Sequence, residues 1–198
     1  MKNDNNILII GAGGHAKSCI EIIEKENKHK IIGLIGLSSE LGKKVLGYKV
    51  IGDESLLEKC FLDCQSAVIG IGQIKSNENR KYYYNLLKKI GYSLPTIISP
   101  NSVISDNSTV GESSIIMHNV VINAGSSIGA NCIINSKSLI EHDVIIRDNC
   151  HISTGVILNG SAVVGESSFV GSGVIVNQNI TIENDSVIRS GSIIYKNQ

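Results

Sequence analysis

Three consecutive residues in the C-terminal half carry side chains suited to proton transfer: Glu141, His142 and Asp143. A carboxylate that bonds one ring nitrogen of a histidine fixes its tautomer and makes the other nitrogen a better base. Such a base removes a proton from an amine or a hydroxyl group during acyl transfer. The segment therefore predicts a general base at His142, supported by a flanking carboxylate.

The remaining histidines have different surroundings. His151 lies nine residues after His142, within another apolar stretch. His118 has no acidic neighbour, and His29 stands between two lysines. We interpret His118 as a structural corner residue and His29 as a solvated surface residue.

A second candidate site is the glycine loop, in which Gly11, Gly13 and Gly14 follow a short apolar segment and precede a segment with helical spacing. Glycine lets backbone N–H groups approach a phosphate, and the dipole of the following helix favours the anion. A dinucleotide site would have an acidic residue about 20 residues further on, at the end of the second strand. Gly36 and Leu37 stand there instead. The loop therefore predicts a nucleotide diphosphate rather than NAD, with a purely structural tight turn as the alternative.

The elements that position His142 follow from an internal repeat. Residues 102–197 divide into sixteen hexads without an insertion, and the third position of every hexad is Ile, Val or Leu. These three types form only about a fifth to a quarter of an average protein, so the pattern is not chance. A six-residue period is typical of one flat face of a triangular coil, and three hexads make one coil. The repeat predicts a left-handed parallel β-helix, whereas a β-sandwich would need irregular spacing and hairpin signals.

The corners of this β-helix are predicted at the last three positions of each hexad. Asn, Gly, Asp and Ser collect there, and these residues tolerate the positive φ that a tight corner demands. His142 occupies such a corner position, where side chains leave the coil.

The N-terminal half has no hexads and alternates strand-like with helix-like segments, which predicts a small Rossmann-like α/β domain with a parallel sheet. Pro95 and Pro100 bracket the junction, so the predicted domains are residues 1–98 and 101–198. The predicted elements are strands at 7–10, 31–35 and 67–71, helices at 17–26, 54–60 and 78–90, a hairpin at 44–51 and an extended segment at 96–98.

The composition limits the partners and the compartment. Lys+Arg and Asp+Glu are both 18, which indicates neither nucleic acid nor an anionic membrane as a partner. The five cysteines contain no CxxC pair, so we expect reduced thiols. No apolar run approaches the roughly 18 residues that span a bilayer. We expect a cytoplasmic protein.

In order along the chain, four segments carry a family resemblance: Ile-Gly-Ala-Gly-Gly-His-Ala-Lys at residues 10–17, Gly-Ile-Gly at 70–72, Asn-Ser-Lys-Ser-Leu-Ile-Glu-His-Asp at 135–143 and His-Ile-Ser-Thr-Gly at 151–155. With these segments and the hexads, the chain resembles the hexapeptide-repeat sugar acetyltransferases. That family includes sialic acid O-acetyltransferases and the N-acetyltransferases of UDP-4-amino-4,6-dideoxy sugars in bacillosamine synthesis. The resemblance covers essentially the whole chain.

The resemblance implies a role for each candidate residue. His142 is the general base, Asp143 raises its basicity, and His151 touches the acetyl thioester. The implied sugar-nucleotide residues are Gly13, Gly14, His15 and Gly72, and the implied lining of the coenzyme A slot is the backbone around Ser172 and Ser190. Acetyl-CoA is the co-substrate, with no metal. The implied reaction is N-acetylation of a nucleotide-linked 4-amino-4,6-dideoxy sugar for bacterial surface glycans, and the alternative is O-acetylation of a sialic or related nonulosonic acid.

The spacing of the two C-terminal histidines predicts a shared site. Nine residues are half of an 18-residue coil, so His142 and His151 lie on roughly opposite sides of one prism. They can meet across an interface of a homotrimer. The alternative is that both are merely polar corner residues.

Two other functional classes remain open from the residues alone. A zinc carbonic anhydrase on the same β-helix would need three histidines at one metal, and His118, His142 and His151 supply that number. A binding or scaffold protein would leave the Glu-His-Asp corner unexplained.

Overall fold

The chain forms two compact units, which divide between Ile97 and Ile98. The computed structural model describes residues 5–73 and 76–198. Each unit is described by itself below.

The first unit is a small α/β domain around a parallel sheet, as predicted. Its strands and α-helices in the described residues are β1 (Asn6–Ile10), α1 (Gly14–Glu26), β2 (Lys30–Ile35), β3 (Lys44–Val45), β4 (Tyr48–Gly52), α2 (Leu57–Phe61), β5 (Ala67–Ile69) and α3 (Glu78–Ile90). The strand order is β3-β4-β2-β1-β5, with only the β3–β4 pair antiparallel. None of the helices in these parts of the chain has both the length and the apolar composition that a membrane span requires.

Three predicted elements of this unit have bounds that differ by more than one residue in the structure. Helix α1 begins at Gly14, directly after the glycine loop, rather than at residue 17. The helix predicted at 54–60 is a 3₁₀ turn, Glu54–Leu56, followed by α2, and the Asp53 side chain caps the turn by accepting a hydrogen bond from the backbone N–H of Ser55. Strand β5 ends at Ile69, so Gly70 and Ile71 lie outside the strand predicted at 67–71.

The core of the first unit follows the period of its elements. All of Ile7, Leu8, Ile9 and Ile10 are buried, as expected for a parallel strand covered on both faces. On one face, Leu8 and Ile10 belong to a buried cluster that includes Leu87 of α3. This packing holds the carboxyl ends of β1, β2 and β5 at one edge of the sheet, where α/β domains bind ligands.

The second unit is a left-handed parallel β-helix, as predicted. Its two-residue strands form three sheets, in which each strand pairs with the strand 18 residues away. Sheet I contains β6 (Ile97–Ile98), β9 (Ile115–Ile116), β12 (Ile133–Ile134), β15 (His151–Ile152), β18 (Phe169–Val170) and β21 (Val187–Ile188). Sheet II contains β7 (Val103–Ile104), β10 (Val121–Ile122), β13 (Leu139–Ile140), β16 (Ile157–Leu158), β19 (Ile175–Val176) and β22 (Ile193–Ile194). Sheet III contains β8 (Thr109–Val110), β11 (Ser127–Ile128), β14 (Ile145–Ile146), β17 (Val163–Val164) and β20 (Thr181–Ile182).

The aliphatic third positions form the core of the β-helix. Ile104 and Val110, in the first two hexads, are only partly buried, and the other fourteen are buried: Ile116, Ile122, Ile128, Ile134, Ile140, Ile146, Ile152, Leu158, Val164, Val170, Val176, Ile182, Ile188 and Ile194. One strand lies outside the predicted repeat, because β6 precedes the first hexad and pairs into sheet I.

The corners have the conformation expected from their composition. The sixth position of each hexad from Ser113 to Gly191 has a positive φ. Asp143 is one of these residues, with a φ of 61°. The candidate catalytic segment therefore stands on a rigid corner, between β13 and β14.

Candidate active site

The pair formed by His142 and Asp143 has the geometry of a supported base. The Nδ1 atom of His142 lies 2.9 Å from Oδ2 of Asp143. When Nδ1 carries the proton and donates it to this carboxylate, Nε2 is left with a lone pair for a substrate proton. Both side chains are about two-thirds exposed, at 65% and 63%. The base is therefore accessible to a ligand from outside the coil.

Two glycines, one coil away on either side, make room for this pair. A Cβ atom on Gly160 would lie 2.7 Å from Nε2 of His142, and a Cβ on Gly125 would collide with Oδ1 of Asp143. The sequence reasoning missed both residues. Their offset of 18 from His142 and Asp143 is the signal that identifies them, because one coil is 18 residues long.

A groove of about 470 Å³ opens beside the imidazole, and its lining is Glu141, His142, Asn159, Gly160, Asn177 and Gln178. These residues are the fourth and fifth positions of three stacked hexads. Glu141 accepts a hydrogen bond from the amide of Asn123, one coil earlier, at 3.0 Å. This carboxylate is therefore paired with Asn123 and not with His142. Of the two carboxylates that flank His142, Asp143 is therefore the one that is hydrogen-bonded to the imidazole.

His151 lies on a strand rather than at a corner. It is the outward-facing residue of β15 and is only 6% exposed. Its ring packs edge to face on Phe169 with centroids 5.2 Å apart, and its Nε2 lies 3.5 Å from the Asn135 amide nitrogen. The alternative in which both histidines are polar corner residues is therefore wrong for His151.

Ser172 and Ser190 lie at the corner between sheets I and II, one coil apart. Both are exposed, and the Ser172 hydroxyl lies 2.9 Å from that of Ser153. The next residues, Gly173 and Gly191, have positive φ and nothing within 4 Å of an added Cβ atom. The backbone at this corner is thus open to a long, narrow ligand.

The candidate residues of the β-helix fall into two groups on different sides of the prism. His142 and Asp143 form the corner between sheets II and III, whereas His151 is on sheet I. One chain does not bring His142 to His151. The three-histidine arrangement of a zinc enzyme is also absent from the described residues, because His118 and His142 occupy different corners and no side-chain cluster there can hold a metal ion.

In the first unit, the glycine loop opens into a pocket of about 770 Å³ at the carboxyl ends of β1, β2 and β5. Gly13, Gly14, His15 and Gly72 all line it. Gly13 precedes the 13-residue helix α1, whose first turn contains no acidic residue. A Cβ on Gly72 would lie 3.5 Å from Cβ of His15, so these two residues are in contact. The structure brings the four predicted residues together at the end of a helix that favours an anion.

The lining residues that were not predicted include Glu40, Asn79 and Tyr83. Glu40 approaches the end of β2, where the sequence shows Gly36 and Leu37 in place of an acid. It accepts a hydrogen bond from the Leu37 N–H at 3.1 Å and one from Lys43, and these bonds hold its pKa below the usual value. Burial, followed by the nearby Glu54, raises the pKa of Tyr83 to about 12, so its hydroxyl stays protonated. Asn79 and Tyr83 are spaced i, i+4 on α3, which is the signal that predicts a shared face.

Gly13 allows a direct test of the pocket. Its φ is −87°, and an added Cβ would meet nothing within 4 Å. We expect Gly13→Val to fold normally and to raise the KM for the nucleotide-bearing substrate by about tenfold or more, because the branched side chain would occupy the space where backbone N–H groups approach a phosphate. Steady-state kinetics with each substrate varied in turn will measure this. An equal rise in both KM values would indicate a folding defect instead.

The fold defines a class of protein: an acyltransferase in which an α/β domain with a glycine-loop pocket precedes a β-helix that carries a histidine–aspartate pair. A family model for the PglD N-terminal domain matches residues 6–87. No curated protein sequence matches the chain significantly. The chain belongs to the hexapeptide-repeat sugar acetyltransferase family, which confirms the resemblance read from the sequence.

Solved structures similar over nearly the whole chain support this assignment. A histidine-to-asparagine variant of perosamine N-acetyltransferase from Caulobacter crescentus, in complex with CoA and GDP-perosamine, is 30% identical with a TM-score of 0.91, covering 97% of this chain and 89% of that one. The acetyltransferase domain of PglB from Neisseria gonorrhoeae is 27% identical with a TM-score of 0.89, covering 98% and 92%. The same domain has been solved with acetyl coenzyme A.

Proposed function

We propose that the protein transfers the acetyl group of acetyl-CoA to the amine of a nucleotide-linked amino sugar, a 4-amino-4,6-dideoxy sugar. The observation that carries the proposal is the His142–Asp143 pair, whose free ring nitrogen faces an open groove. The amine attacks the thioester carbon, and a C–N bond forms as the C–S bond breaks. His142 takes the proton that the amine loses and can return it to the sulfur of coenzyme A.

The pocket of the first unit supports a nucleotide-linked acceptor. Gly13 and Gly14 offer backbone N–H groups at the start of α1, where a diphosphate is favoured. The similar perosamine enzyme was solved with a GDP-linked sugar, which agrees with this chemistry. In the proposal, residues 1–98 hold the nucleotide and residues 101–198 carry the acetyl transfer.

The coenzyme A slot is proposed at the corner that contains Ser172 and Ser190. The open glycines beside them leave backbone groups accessible to the pantetheine arm. His151, on sheet I next to that corner, would contact the acetyl thioester. This arrangement places the acetyl donor on the opposite side of the prism from His142, so a complete site requires a second copy of the chain.

A homotrimer supplies that second copy. The outward residues of sheet II are all aliphatic and none is buried: Val103, Val121, Leu139, Ile157, Ile175 and Ile193. At the spacing of parallel strands they form a ridge about 24 Å long. This ridge borders the corner of His142. A second chain packed on the ridge would bury it and would shield the exposed base from water.

Acetyl transfer to a panel of nucleotide sugars tests the proposed function. The protein is incubated with acetyl-CoA and with GDP-, UDP- and dTDP-linked sugars that carry either an amine or a hydroxyl group at the 4-position. We expect a product one acetyl group heavier only from an amino sugar, and we expect it to resist hydroxylamine because it is an amide. A hydroxylamine-sensitive product would indicate O-acetylation, and no product from any sugar would contradict the assignment.

A further inference from the structure

Arg80 is a charged residue in the core of the first unit. It is the third residue of α3 and is only 1% exposed. Its Nη1 donates a hydrogen bond to the carbonyl oxygen of Ile69 at 2.6 Å and to that of Ile71 at 3.1 Å. A buried guanidinium is costly unless it is well hydrogen-bonded, so the two carbonyl oxygens help to explain its presence.

These two carbonyls lie on the outer edge of the sheet. Strand β5 pairs with β1 on one side, where Gly70 donates its N–H to Ile10, and on its other side Ala67 donates its N–H to Ser93. Successive backbone groups of a strand point to opposite sides, so the carbonyls of Ile69 and Ile71 face away from β1. Beyond Ala67, Arg80 supplies the donor that a neighbouring strand would otherwise provide to these two carbonyls. It therefore sets the path of the backbone as β5 leaves the sheet.

This part of the backbone forms a wall of the nucleotide pocket. Gly70, Ile71 and Gly72 all line it. A Cβ added to Gly11 would lie 2.9 Å from Cγ1 of Ile71 and 3.1 Å from the oxygen of Gly70, so the glycine loop rests directly on this wall. A chain of contacts thus leads from Arg80 through Ile71 to the loop that approaches phosphate.

We propose that Arg80 is a positioning residue of the nucleotide pocket, which holds the loop of residues 70–72 so that the glycine loop is preformed for a nucleoside diphosphate. The inference rests on the proposed function. Arginine suits this role because its guanidinium can bridge two carbonyl oxygens in one plane. A methionine would fill a similar volume but would leave both carbonyls without this donor. A lysine would keep the charge but not the planar geometry.

Titration calorimetry with GDP, UDP, dTDP and coenzyme A tests the proposal without turnover. The proteins are the wild type, Arg80→Met, Arg80→Lys and the control Leu87→Ala. Leu87 lies on the same helix, is fully buried and does not line the pocket. Its truncation lowers stability through a cavity, so it reports what destabilisation of α3 does by itself.

We expect Arg80→Met to raise the Kd for the nucleoside diphosphate by about tenfold or more, because displacement of groups that contact a ligand by about 1 Å has effects of this size or larger. Arg80→Lys should restore part of the affinity. The Kd for coenzyme A should stay within about twofold, and Leu87→Ala should lower the unfolding midpoint without changing the Kd for nucleotide.

An unchanged nucleotide Kd in Arg80→Met would overturn the positioning role, as would an equal rise in Leu87→Ala. If Arg80→Met does not fold, Arg80→Lys decides, and wild-type affinity in that variant overturns the proposal. A wild-type protein that binds none of GDP, UDP and dTDP would instead overturn the proposed function, and the inference with it.

Discussion

Replacing His142 with alanine is expected to lower kcat by about 10²–10⁴-fold, because general-base assistance contributes that much to a proton transfer. The affinity for acetyl-CoA should stay nearly unchanged, since a general base contacts the acceptor's amine and not the coenzyme A moiety. Loss of the exposed ring removes no core contact, so the unfolding midpoint should also be retained. Steady-state kinetics and a thermal melt of the purified variant will measure these quantities.

Two further variants sharpen this test. Asp143→Asn keeps the shape of the side chain and a residue that tolerates positive φ, so the corner should persist while kcat falls by a smaller factor. His29→Ala is the matched control, because His29 lines neither pocket, and it should leave kcat unchanged. If His142→Ala retained more than about a third of the activity, His142 would not be the base.

Mixing two inactive variants should restore activity if the site is shared between chains. Chains with His142→Ala still carry His151, and chains with His151→Ala still carry His142. With random exchange of equal amounts in a trimer, about a quarter of the interfaces combine both intact histidines, so recovery of up to roughly a quarter of wild-type activity is expected. The measurement is acetyl transfer before and after subunit exchange, with the exchange followed by native mass spectrometry.

This experiment requires controls for each parent. His151 is buried against Phe169, so the His151→Ala protein must be shown to fold, to form trimers and to be severely impaired by itself. Each parent carried alone through the exchange procedure should stay inactive. Mixed trimers that stay as inactive as their parents, despite demonstrated exchange, would contradict a site that is shared by His142 and His151 of different chains. A monomeric protein would contradict the shared site directly.

The β-helix was predictable because its period is local. A hexad needs an aliphatic residue at its third position and a small or polar residue at its corner, and both requirements can be read without knowledge of distant contacts. The same 18-residue period also identifies two glycines beside the candidate catalytic pair. Gly125 and Gly160 stand 18 residues from Asp143 and His142, and they leave the space that these two side chains occupy.

The nucleotide pocket was only partly predictable. The glycine loop has a local signature, and the structure brings Gly13, Gly14, His15 and Gly72 to one pocket. Glu40 lines the same pocket from a 3₁₀ turn that follows β2. The sequence rule expects an acidic residue at the end of the strand itself, so it does not identify Glu40. From the sequence alone, Arg80 cannot be distinguished from an ordinary polar residue in a helix. Two of its partners are backbone carbonyls, which carry no sequence signal.

The sequence by itself determined the fold class, the corner position of His142 and the loop that suits a phosphate, because each depends on residue types at fixed local spacing. The tertiary structure decided which carboxylate supports His142. Glu141 accepts a hydrogen bond from the Asn123 amide, whereas Asp143 is hydrogen-bonded to the His142 imidazole. The tertiary structure also decided that His151 is buried on a strand. Both outcomes depend on contacts between stacked coils, where side-chain packing and hydrogen bonding select one arrangement among several that the same residues allow.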